Sequence, residues 1–153
     1  RSGRPLFAAH DALPWPDAPH LVLWHAQTLI REFRGDGHLA ALLCGGVRTG
    51  CEALVQHAAT GEIPAESLRA SRSWPQEAWD ATVADLAERG WVDAEGSATA
   101  AGQTLREQVE LWTDEMALEP WRRIGRDDAD RLRALVRPFS RAIVAGGELG
   151  RGM

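Results

Sequence analysis

Tryptophan, histidine, arginine and aspartate crowd into the stretch from Leu23 to His38. Trp24 and Arg31 are seven residues apart, so on a helix they share a face two turns apart. His25, Thr28 and Glu32 line another face, and Arg34-Gly35-Asp36-Gly37-His38 reads as a tight turn between helices. A guanidinium grips carboxylates and phosphates, an imidazole moves protons near neutral pH, and an indole stacks on flat rings. Together they suit the binding of a polar or anionic small molecule, or proton transfer. The same residues also have a structural reading, with Gly35 and Asp36 as helix caps and the arginines solvated or salt-bridged.

Tryptophan occurs at seven positions: 15, 24, 74, 79, 91, 112 and 121. Trp79 and Trp112 fall on apolar stripes and read as core, while Trp15, Trp24, Trp74 and Trp121 fall at loops or helix edges. Aromatic walls with a few polar groups are what flat organic ligands meet in pockets. The candidate ligand-binding set is therefore Trp24, His25, Arg31, Arg34, Asp36, His38, His57 and Trp112. Arg31 and Arg34 would pair with an anion, Trp24 and Trp112 would stack, and a histidine would donate a hydrogen bond. His25, His38, His57, Cys44 and Cys51 show no zinc-site spacing, so no metal is expected. No cofactor fingerprint, phosphate-binding glycine loop or nucleophile elbow is present.

The positioning elements read as helices, because apolar residues recur at helical spacing and long alternating runs are absent. Four prolines in the first nineteen residues predict an extended lead-in over 1–19. A first helix spans 20–34, stopped by Gly35, and Asp36 caps a second over 37–43. A third spans 49–60. Pro64 opens a short helix to about residue 71. Ser73 and Gln76 form a capping-box pattern for the next, over 74–89. Residues 91–92 and 97–99 read as a minimal hairpin about Asp93-Ala94-Glu95-Gly96. Thr99 caps a long helix to Leu118, Pro120 closes it, and Asp127 caps the last, to Ala145. Residues 20–145 thus read as one domain and 146–153 as a flexible tail. Cys44 and Cys51 read as two buried thiols.

Helix, turn, helix, hairpin is the order in which many DNA-binding regulators are built, yet the charge has the wrong sign. Cys51–Glu119 carries four arginines against fourteen carboxylates, a net of −10, while the chain as a whole is −5. The exposed face of the second helix of that pair should carry Gln76, Glu77, Asp80, Ala84 and Glu88, and the hairpin tip Asp93 and Glu95. Phosphate neutralisation by cations supplies most non-specific DNA affinity, so this face is ill suited to DNA. Residues 120–153 are positive by +4, with Arg133, Arg137 and Arg141 on one ridge. Acidic residues Glu107, Glu110, Asp114 and Glu115 on the preceding helix suggest pairing with that ridge or a subunit interface. No apolar run approaches the roughly 20 residues of a spanning helix. Net acidity also argues against a membrane partner. A cytoplasmic location is expected. Every basic residue besides histidine is arginine, which reads as the product of a GC-rich genome.

Residues 75–102 resemble MarR-type winged-helix regulators, in the stretch Leu86-Ala87-Glu88-Arg89-Gly90-Trp91-Val92 and the helix start Thr99-Ala100-Ala101-Gly102. Nearly the whole chain resembles an actinobacterial family of helix-turn-helix-like proteins. That likeness rests on Arg4-Pro5-Leu6-Phe7-Ala8-Ala9-His10, Leu13-Pro14-Trp15-Pro16, Leu23-Trp24-His25-Ala26 and Arg34-Gly35-Asp36-Gly37-His38. Its members are longer, so the chain is expected to be a C-terminal half. The resemblance implies a mainly α, winged-helix (MarR-like) fold with long terminal helices. It also implies a homodimer, or association with the N-terminal half. The expected function is binding of an aromatic or anionic natural product, as sensor, sequestering resistance protein or biosynthetic accessory. The alternatives are a DNA-binding regulator and an enzyme using the His/Asp/Arg cluster.

Overall fold

The computed structural model describes residues 2–147. The expected tail falls largely beyond them, since 148–153 lie outside the described residues. Among the described residues six helices account for the regular structure: α1 (Pro5–Asp11), α2 (Pro19–Cys44), α3 (Gly50–Ala59), α4 (Ala65–Ser71), α5 (Gln76–Glu88) and α6 (Ala100–Ala145). The fold is mainly helical, as the periodicity predicts. Two compact units emerge, one of Arg1–Gly46 with Gln108–Ile124, the other of Val47–Glu107 with Gly125–Met153.

In the first unit α1 lies against α2. The prolines predict extended chain here, but Pro5 occupies the first turn, where its missing N–H costs nothing, and a helix forms. Its free amides are capped from a distance: Asp36 accepts hydrogen bonds from the Leu6 N–H at 3.1 Å and the Phe7 N–H at 2.9 Å. Asp36 is therefore not the cap of a second helix, and α2 runs unbroken through Gly35 and Gly37. A glycine in a helix costs only about 0.5–1 kcal/mol. At Gly37 the missing side chain is used, since a Cβ there would stand 3.0 Å from the Met116 Cβ.

Arg4 completes the unit. Its guanidinium lies 3.7 Å from the centre of the Phe33 ring and donates to the Phe33 carbonyl oxygen. It also donates to the Met116 carbonyl oxygen at 2.8 Å. That oxygen is the one Pro120, four residues on and lacking an N–H, leaves without its helical partner. This explains why Pro120 does not end the helix as expected. The helical run continues to Ala145, interrupted in conformation only at Gly125 (φ 77°, ψ 169°), a backbone region open to glycine alone.

The second unit is built on α3, against which α4 and α5 pack. Cys51, Val55, Trp79, Leu86 and Val92 form its buried core. Thr49 caps α3 by accepting from the Glu52 N–H at 3.1 Å. Ser73 does not cap α5: it takes a left-handed φ of 54°, and Pro75 stands at the cap position without a side-chain bond. Gln76 instead donates to Asp80 at 2.7 Å. The expected hairpin is reduced to a single antiparallel bridge, Val92 to Ala98, with the Ala98 N–H reaching the Ala59 carbonyl at 3.0 Å. Asp93 explains the brevity, its carboxylate taking the Glu95 and Ser97 N–H groups and curling the turn. Thr99 caps α6 as expected, and a Cβ on Gly102 would fall 1.9 Å from the Trp91 carbonyl oxygen. Cys51 is buried as expected, but Cys44, at the last turn of α2, is exposed.

Candidate functional site

Helix α2 places Trp24, Gln27, Thr28 and Arg31 at i, i+3, i+4 and i+7, a single face. With His10 of α1 they line an open hollow of about 510 Å³. Trp24 is 71% exposed, so its ring is free to meet a ligand. Thr28, expected on the face of His25, lies beside Trp24 instead, and its hydroxyl donates to the Trp24 carbonyl oxygen at 2.9 Å. His10 turns Nδ1 to the Leu6 carbonyl oxygen at 2.9 Å. A carbonyl can only accept, so Nδ1 carries the proton and the neutral ring offers Nε2 as an acceptor. Arg31 is tied to Glu32 at 2.5 Å through one terminal nitrogen, its side chain 78% exposed.

The remaining expected residues are placed elsewhere. His25 is buried, edge-on to Trp15 with ring centres 4.7 Å apart, and its Nε2 has no hydrogen-bond partner. Arg34 pairs at 3.0 Å with Glu110, one of the acids expected against the Arg133–Arg141 ridge. Asp36 is only 4% exposed and engaged by α1. His38 Nδ1 lies 3.0 Å from the Thr113 hydroxyl, which itself donates to the Val109 carbonyl, so His38 is the donor. Trp112 is half-buried. His57 belongs to the second unit, 3.8 Å from Glu62. Of the eight, the hollow gathers Trp24 and Arg31. Gln27 and Thr28 were not among the candidates, although the i, i+3, i+4, i+7 series from Trp24 was there to be followed; His10 comes from α1, which no spacing within α2 announces. No cluster able to hold a metal occurs among the described residues.

Across α1 lies a second hollow of about 430 Å³, walled by Phe7, Leu29, Ile30, Phe33 and Pro120, with Asp11, Glu119 and Arg123 at its rim. Glu119 and Arg123 pair at 2.7 Å. The hydrogen bond and the charge of Arg123 hold the Glu119 carboxyl below the ordinary glutamate range.

In the second unit the cations beside α3 and α5 are taken up by carboxylates. Glu52, buried, binds Arg48 at 3.5 Å and Arg89 at 3.1 Å, and both arginines also reach Asp85, at 3.1 and 3.3 Å. Arg89 stacks over Trp91, 3.7 Å from its ring centre. Glu77, Asp80 and Glu88 stand exposed on α5, and Asp93 and Glu95 on the turn.

Two short helices joined by a tight turn and packed on a third define a helix-turn-helix protein. The chain belongs to a helix-turn-helix family, whose pattern matches residues 1–150. No curated protein and no solved structure matches it.

Proposed function

We propose that this helix-turn-helix protein binds a small aromatic anion in the hollow between α1 and α2. Trp24 stacks on the ligand, Arg31 pairs with its carboxylate or similar group, and His10, Gln27 and Thr28 supply hydrogen bonds. The observation that carries this reading is the exposed indole and guanidinium two turns apart on one face, beside a hollow of drug-like size. On this reading α3, α4, α5 and the bridged turn after them form a winged helix of MarR type. Its acidic outer face has little grip on DNA, and the protein acts in the cytoplasm as a sensor, a sequestering protein or a biosynthetic accessory. Calorimetry with 1-naphthoate as probe tests it. Binding should weaken about tenfold or more in Trp24→Ala and in Arg31→Gln, since a charge-assisted hydrogen bond contributes about 1.5–3 kcal/mol. Equal binding of naphthalene-1-methanol, or indifference to both substitutions, would overturn it.

A second reading is favoured by the family itself: a regulator that binds DNA through α5. Gel shifts with genomic fragments decide between them. Tight, sequence-specific binding at physiological salt, lost when Gln76 is replaced by Ala, would establish the regulator.

A further inference from the structure

The groups that line the hollow of Trp24 and Arg31 differ in what they can still exchange with a ligand. Arg31 offers the N–H groups that Glu32 leaves over, the Trp24 indole can only donate, and the Gln27 amide can do either. Those donors suit an anion. The other two groups are acceptors. Thr28 spends its hydroxyl proton on the Trp24 carbonyl oxygen, so its Oγ has only lone pairs left. His10 spends its Nδ1 proton on the Leu6 carbonyl oxygen, so its neutral ring has only the Nε2 lone pair left. Among the described residues nothing donates to either atom. A bare aromatic anion would leave both without a partner: it brings lone pairs of its own and displaces the water that served them. An acceptor stripped of water and left unpaired works against binding. A ligand that answers the whole hollow has an anion for Arg31 and at least one hydrogen-bond donor for Thr28 and His10.

We infer that the ligand of this hollow is an aromatic anion that also carries a hydroxyl or amino group, set apart from its acid. The inference rests on the binding reading above and narrows its ligand class. The separation follows from the helix. Thr28 lies three residues before Arg31, about 4.5 Å along the axis at about 1.5 Å per residue. A hydroxyl ortho to a carboxylate does not serve, because it already donates to its own acid group.

Calorimetry of the unaltered chain with a series of naphthoates tests it. 6-Hydroxy-2-naphthoate carries a remote donor and 2-naphthoate none. 6-Methoxy-2-naphthoate carries an oxygen that only accepts, and 3-hydroxy-2-naphthoate a donor spent on its own carboxylate. The first should bind about fivefold more tightly than each of the others, the usual return on one hydrogen bond. In the double variant Thr28→Val, His10→Phe the preference for 6-hydroxy-2-naphthoate over 2-naphthoate should vanish, with the fold verified by circular dichroism. Equal binding of the whole series, lost in Trp24→Ala and in Arg31→Gln, would overturn this inference and leave the binding reading standing. A preference that survives in the folded double variant would also overturn it. Binding of none of the series would overturn both.

Discussion

Met116 has a carbonyl oxygen that its own helix does not satisfy, and Arg4, 112 residues away in sequence, satisfies it. A buried acceptor left unpaired costs about 1–3 kcal/mol. Arg4→Ala should therefore lower stability by roughly that amount, more than an ordinary surface change. The test is a double-mutant cycle in urea. Pro120→Ala restores the N–H that Met116 needs, so Arg4→Ala should cost measurably less in that background. Equal costs would show that Arg4 acts only through Phe33, by its ring and its carbonyl oxygen. Asp36 makes a similar point. Its residue type and its flanking glycines announce a cap, and it is one, but for α1 rather than for the helix that follows it. Replacement by Ala should cost about 1 kcal/mol, the usual worth of a cap, and should raise amide exchange at Leu6 and Phe7 first.

At the scale of elements, local signals predicted helices well and their ends less well. Thr99 caps the helix it was expected to cap, and Thr49, read as the first residue of its helix, proves to be the cap of α3, because a side-chain oxygen three residues before a free N–H needs no distant partner. Gly35, Gly37 and Pro120 suggested breaks that do not occur. At two of them the decision came from residues far away in sequence: Met116 filling the space at Gly37, and Arg4 serving the carbonyl behind Pro120. No window of the sequence contains that information. The site was half legible for the same reason. Trp24 and Arg31 share a face by spacing alone, whereas His10 joins them only because α1 folds back. Glycine positions test the element packing. Gly102→Ala would drive a methyl into the Trp91 carbonyl, and should cost at or above the upper end of the about 1–3 kcal/mol typical of overpacking. Gly125→Ala meets no neighbour, but its backbone strain should cost about 1–3 kcal/mol. Thermal denaturation of the two variants separates crowding from strain.

Across the molecule, charge is sorted by segment. The helix-turn-helix unit neutralises Arg48 and Arg89 with Glu52 and Asp85 and shows carboxylates to solvent. A DNA-binding surface works by releasing condensed cations as its own cations replace them. Retention of a random duplex should therefore be undetectable at 150 mM salt, taken as roughly physiological, and a strong salt-dependent shift would refute the electrostatic argument. Position matters more than total here, because a net of −5 says little about a chain whose blocks differ so much in sign. The first unit has a further property that follows from α1. This seven-residue helix gives His10 to one hollow and Phe7 and Asp11 to the other. Any molecule that shifts α1 from one side alters the wall on the other. The two hollows then form a closed thermodynamic square. Whatever factor an occupant of one imposes on affinity for the other must return unchanged when the order of addition is reversed.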